Sequence, residues 1–181
     1  MDQALAVEQT RIGRFRRKPA AAAALAVFVL GAATIAGAWY FQLALKLPPC
    51  ALCLEERIPY YIVVPLSLLL SIAASMGAPR QALALGFFAI LFSTLAGAGL
   101  GIYHAGVEWH FWPGPADCTG TLTNLKAHGP LLSQLRTYNV VRCDEAAWRF
   151  LGISLAGYNA LISLLMAAIA AFGLSALKHP G

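Results

Sequence analysis

Four stretches of this chain run long enough to cross a lipid bilayer without a single charged residue: Ala20–Leu45, Ile58–Met76, Gln81–Tyr103 and Phe150–Leu177. A hydrocarbon core about 30 Å thick needs ~20 helical residues, so each stretch reads as a spanning helix. Pro59 can occupy the first turn of its helix, where its missing N–H costs nothing. Pro65 lies deeper and should kink the helix, with neighbouring helices satisfying the freed carbonyl. Composition points the same way, because 59% of the 181 residues are hydrophobic and only 12% charged, half the ~25% of a soluble domain. Lipid must be the solvent for much of the surface. The expected fold is all-α: a four-transmembrane-helix bundle with two external loops and a short interfacial helix, one integral membrane domain over 1–181. No repeat at a solenoid period is visible.

The formal net charge of +5 could suggest nucleic acid, but its distribution argues otherwise. Arg11, Arg14, Arg16, Arg17 and Lys18 lie in one run just before the first apolar segment, where the positive-inside bias puts them and where a nucleic-acid arm would need no apolar segment behind it. With Arg80 and Lys178 added and Asp2 and Glu8 subtracted, that side nets +5, whereas 46–57 and 104–149 together carry six basic and six acidic residues. Both termini are therefore expected in the cytoplasm and both loops on the far side. The basic run, the apolar stretch and Ala36-Gly37-Ala38 also resemble a secretory signal with its cleavage site. The apolar stretch continues past that site to Leu45, which favours a retained helix. In either case the next segment emerges on the far side.

All four cysteines then fall in the external loops: Cys50 and Cys53 within LPPCALCLEERIPYY, and Cys118 and Cys143 in the second loop. A Cys-x-x-Cys can be a structural bridge, half of a metal shell, or a dithiol oxidised and reduced in turnover. So short a loop gains little stability from closure. A closed metal shell commonly takes two close pairs, whereas Cys118 and Cys143 are 25 residues apart and His128 has no partner at ligand spacing, so no metal is expected. On the oxidising side of a bacterial-type membrane, disulfide chemistry leads. Cys50 and Cys53 stand at the entrance to the second helix, whose positive end favours thiolate over thiol. Arg57, four residues on, adds a full positive charge that could serve both a thiolate and the polar head of a lipid-soluble oxidant. Its bland reading is snorkelling to lipid phosphate.

The other polar residues of these loops admit plainer readings. Glu55 and Glu56 read as solvated acids at a helix start, and His104 as an interfacial group that could donate to the same oxidant. Trp109, Phe111 and Trp112 read as interface anchors, and Pro113-Gly114-Pro115 as a helix break before Cys118. Residues 129–136 form an amphipathic pattern that could lie on the bilayer, letting Cys143 approach the first pair and leaving Cys118 exposed. Gly97, Gly99 and Gly101 suit close helix packing.

Trp39-Tyr40-Phe41-Gln42, Pro49-Cys50-Ala51-Leu52-Cys53, Glu56-Arg57, Trp112-Pro113-Gly114-Pro115 before Cys118, and Cys143 followed by Trp148-Arg149-Phe150-Leu151-Gly152 together resemble the DsbB family of bacterial inner-membrane thiol oxidases. Quinone reductases of the vitamin K epoxide type place the loop cysteines before the Cys-x-x-Cys, the reverse of the order here. The resemblance implies a protein-dithiol:quinone oxidoreductase that re-oxidises DsbA, a soluble periplasmic thiol oxidase, and passes two electrons to ubiquinone, or to menaquinone in its place. By position, Cys118 would form the mixed disulfide with the partner, Cys143 would exchange with Cys50, and Cys53 would face the quinone as a thiolate with Arg57 beside it. His104 would be a second quinone contact, although some members have a histidine one position further on, where this chain has Ala105. Thr119-Gly120-Thr121 also departs from the family pattern. Two alternatives share the cysteines. A reductase would need a thiol supply across the membrane, and no intramembrane or cytoplasmic cysteine exists to carry one. A non-enzymatic membrane scaffold would hold two structural disulfides.

Overall fold

The structure, a computed structural model, describes residues 2–115, 118 and 142–178, with side chains from residue 18 onward. Its elements in chain order are α1 (Asp2–Leu43), α2 (Ala51–Glu55), α3 (Ile58–Met76), α4 (Arg80–Glu108), β1 (Arg149–Phe150), β2 (Ile153–Ser154) and α5 (Leu155–Lys178). Among the described residues, four helices are long and apolar enough to cross a membrane, as the uncharged stretches require. α1 packs on α3 and α5, and α4 packs on the same two, so the helices close a ring of up-down neighbours. The amphipathic segment 129–136, His128 and Thr119–Thr121 lie outside the described residues.

The core of the bundle is a strip of apolar side chains: Ala20, Ala24 and Val27 from α1, Val63 and Ala74 from α3, Leu83, Phe87 and Ile90 from α4, and Met166 and Ala170 from α5. Outward-facing side chains are as apolar as the core, with Leu69 63%, Leu85 71% and Phe92 78% exposed. Such an exterior is tolerable only in lipid, far exceeding the apolar patches of soluble monomers. The turn between α3 and α4 works by backbone geometry: Gly77 takes a left-handed φ of 91°, and the Ala78 N–H reaches back to the Ala73 carbonyl at 2.9 Å, which ties off the orphan carbonyls of α3.

Close packing falls on two of the three glycines singled out in the sequence. A Cβ at Gly101 would lie 2.8 Å from the Ala160 backbone nitrogen, and one at Gly97 would lie 3.3 Å from Ser163 Oγ, whereas Gly99 has open space around it. Helix periodicity explains the split, since Gly99 points to the opposite face from its two neighbours. α5 begins five residues later than the expected Phe150, because Arg149–Ser154 is a hairpin. Arg149 pairs with Ser154 and Phe150 with Ile153. Leu151 and Gly152 between them have φ of 50° and 82°, the two-residue turn with positive φ at both positions. Ser154 Oγ then accepts from the Gly157 N–H at 3.2 Å and caps α5. An apolar run alone does not reveal this turn. α4 departs from its expected end in the other direction, continuing five residues past Tyr103.

Candidate dithiol active site

The end of α1, the start of α3, the end of α4 and the hairpin before α5 meet at one end of the bundle, and the cysteines are there. Cys50 is the N-cap of α2, in extended backbone, and its Sγ accepts from the Cys53 backbone N–H at 3.2 Å. α2 is only five residues long and is separated from α3 by Glu56 and Arg57. The expected long-helix dipole is therefore not what acts on Cys50; a direct N–H to sulfur contact takes its place. Cys50 and Cys53 are free thiols with their sulfurs 2.6 Å apart. Contact with the Cys53 side chain holds the Cys50 thiol below its ordinary value, against the opposing effect of burial and with help from the Cys53 backbone N–H.

Cys118 and Cys143 form a disulfide. Cys118, Cys143, Cys50, Leu52 and Val107 make one buried cluster with Cys53 against it, so the two pairs are packed together rather than held in separate loops. Cys118 is 1% exposed, which corrects the expectation of an exposed sulfur. The bridge to Cys143 turns it inward, against Val107 and beside Gly114. Next to Cys143, Arg142 Nε and Nη2 donate to Asp144 at 2.9 and 2.6 Å, and the guanidinium holds the Asp144 carboxyl below the usual range.

His104, read from the sequence as an interfacial group, lies against the dithiol. Its Nε2 lies 3.6 Å from Cys50 Sγ, and its Nδ1 lies 2.7 Å from Glu56 Oε1. Glu56 is 8% exposed, which overturns its reading as a solvated acid: the turn after α2 swings it onto α4, and pairing with His104 makes its burial tolerable. Arg57 instead turns to α1, where Nη1 donates to Gln42 Oε1 at 2.7 Å and the guanidinium sits 5.7 Å from the centre of the Trp39 ring. Glu108, unnoticed in the sequence, is buried and lies 4.0 Å from His104 Nε2. The i, i+4 spacing of His104 and Glu108 was the available signal, and it acts only if α4 continues past Tyr103. Of the three aromatic anchors, Trp112 does more than face the interface: its ring packs on Gly106, and its Nε1 donates to the Tyr103 carbonyl at 2.9 Å.

A cavity of about 280 Å3 opens beside these groups, walled by Ile35, Ala38, Phe41, Leu47 and Ile162, with Gln42, Arg57, Cys50, Cys53 and His104 reaching it. The volume sits at the lower edge of small-molecule sites, about 300–1,000 Å3. It suits a ring-sized head group bearing polar oxygens, with Arg57 and Gln42 as donors. The ligand atoms of Cys50, Cys53 and His104 lie within 4.8 Å of one another. Two thiolates around zinc stand about 3.8 Å apart, from Zn–S bonds of ~2.3 Å. Sulfurs at 2.6 Å are placed to close on each other instead.

The family model described as "Disulfide bond formation protein DsbB" matches residues 20–173. Relatives named "Disulfide bond formation protein B" include one from Aromatoleum aromaticum, 28% identical and covering 87% of this chain and 93% of its own. One from Marinobacter nauticus is 28% identical over 81% and 86%, and one from Xanthomonas campestris pv. campestris is 34% identical over 72% and 78%. No solved structure matches the chain. The resemblance carried by the cysteine motifs thus extends over most of the length, and four of the described helices are long and apolar enough to span a membrane: the chain belongs to the DsbB family, as a multi-pass membrane oxidoreductase of disulfide bond formation.

Proposed function

We propose that this protein re-oxidises a periplasmic DsbA-type dithiol oxidase and delivers the electron pair to a membrane quinone, ubiquinone or menaquinone, with both termini in the cytoplasm of a bacterial cell and the cysteine loops in the periplasm. The observation that carries the reading is the packing of one bridged pair and one free pair in a single buried cluster beside an apolar cavity. Thiol exchange moves electrons only if each sulfur can be attacked in turn, and a single cluster that holds both pairs supports that order of exchange. Once Cys50 and Cys53 have been oxidised to a disulfide, Cys118 takes the partner's thiolate, and Cys143 leaves and attacks Cys50. The Cys50–Cys53 bond breaks, and Cys53 leaves as the thiolate donor facing the cavity. Arg57, held by Gln42, binds a polar oxygen at the wall and orients the head group, while the apolar walls exclude water. The bound quinone supplies a two-electron, two-proton acceptor.

A partner variant that keeps only its attacking cysteine tests the first exchange. Mixed with the oxidised protein, it should trap a mixed disulfide that maps to Cys118 by peptide mass, and Cys118→Ser should abolish the adduct. An adduct at Cys143, or none in a folded sample, contradicts the assignment. Because Cys118 is buried, the adduct also requires that it leave its contacts with Val107 and Gly114.

A further inference from the structure

We propose that Cys50, His104 and Glu56 form a thiol–imidazole–carboxylate triad, in which His104 Nε2 takes the proton from Cys50 Sγ when the dithiol is oxidised and returns it when Cys50 leaves a mixed disulfide. The proposal rests on the reading that Cys50 and Cys53 turn over.

With Nδ1–H donated to the Glu56 carboxylate at 2.7 Å, the lone pair of Nε2 is left facing Cys50 Sγ at 3.6 Å. A base oriented by a third group and within reach of a nucleophile is the geometry of an activated thiol. All three residues are buried, His104 at 3%, Glu56 at 8% and Cys50 at 4% exposure, so water competes poorly for the proton. Around His104 stand Cys50, Cys53 and Glu56 on one side and Glu108 on its own helix, with Tyr60 near Glu56 and Arg149 near Glu108. Glu108 Oε1 lies 4.0 Å from His104 Nε2 one turn along the same helix, which places a second carboxylate beside the imidazole.

The balance closes. Oxidation of Cys50–SH and Cys53–SH forms one S–S bond and releases two electrons and two protons to the quinone and its surroundings, one proton passing through His104. In the exchange half, the Cys143 thiolate attacks Cys50, the Cys50–Cys53 bond breaks, and Cys53 departs with the electron pair. The partner's second thiolate then attacks the partner sulfur bonded to Cys118, which releases the oxidised partner and the Cys118 thiolate; Cys118 attacks Cys143, restores the Cys118–Cys143 bond and expels Cys50 as a thiolate, which His104 reprotonates. His104 is the catalytic base, and Glu56 is a positioning residue.

The first test is the pH titration of ultraviolet thiolate absorbance in the full-length protein with Cys50 as its sole cysteine. His104→Gln should raise the midpoint by about one pH unit or more, leaving tenfold less thiolate in the transition region. An unchanged midpoint overturns the triad. In the protein with all four cysteines, His104→Gln should lower kcat by about a hundredfold with the quinone KM unchanged, and raising the pH should recover part of the loss. Glu56→Gln should lower kcat less, and Glu56→Asp should restore most of it. A raised quinone KM with kcat intact would instead place His104 at the quinone and overturn the proposal. If His104→Gln does not fold, the Glu56 pair decides by the same split between kcat and KM. If the wild type reduces no quinone while the Cys50 titration still depends on His104, the electron acceptor is wrong and the triad stands.

Discussion

A basic residue at a membrane edge needs a reason, and Arg57 has found two on α1. Gln42 accepts its hydrogen bond and Trp39 offers its ring face, so the guanidinium is held in one place before any ligand arrives. If that place is the quinone wall, Arg57→Met should raise the quinone KM by about tenfold or more, the scale of a charged hydrogen bond, while exchange with the partner continues. Gln42→Leu should raise it less. Steady-state kinetics with a short-chain quinone decide this, and an unchanged KM in Arg57→Met refutes the role. The sequence singled out Arg57 correctly as a residue needing explanation, because charge beside an apolar run is visible in one dimension. Which neighbour it chooses is not, since Gln42 is 15 residues away on another helix. Glu56 was misread for the same reason: its partner His104 is 48 residues distant, and no local pattern distinguishes a buried acid from a solvated one.

At the scale of elements, the apolar runs located the four helices well and their ends poorly. Hydropathy reports where lipid stops, whereas a helix stops where its backbone bonds do. α4 continues to Glu108, five residues beyond its expected end at Tyr103, and the hairpin at Arg149–Ser154 occupies what hydropathy counts as span. The two errors matter unequally, because the last turn of α4 carries Glu108 and completes the turn that bears His104. The small-residue face of α4 was legible from spacing and is a point of fragility. Gly101→Val would push a side chain into the Ala160 backbone and should cost roughly 1–3 kcal/mol by overpacking. Gly99→Val at the open position should cost far less. Unfolding in mild detergent, followed by circular dichroism, should separate the two variants. Equal losses would mean that α4 and α5 do not approach as closely as described.

The molecule as a whole works by concentrating its polar chemistry at one end of a bundle that is apolar everywhere else. That the four cysteines fall at one end of the bundle was readable from the sequence, because the lengths of the apolar runs suffice to put both pairs on the same side. Their mutual arrangement was not: the bridge between Cys118 and Cys143, and its packing against Cys50, depend on how the helix ends converge. The central claim is that these two pairs form one electron path ending in a quinone. Anaerobic turnover of the purified protein with a reduced DsbA-type partner and a short-chain ubiquinone, followed by quinone absorbance, tests it most directly. The account predicts one quinone lost per partner oxidised, and no loss in Cys50→Ser or Cys118→Ser. A folded sample that reduces no quinone, with both cysteine pairs locked as bridges, would contradict it.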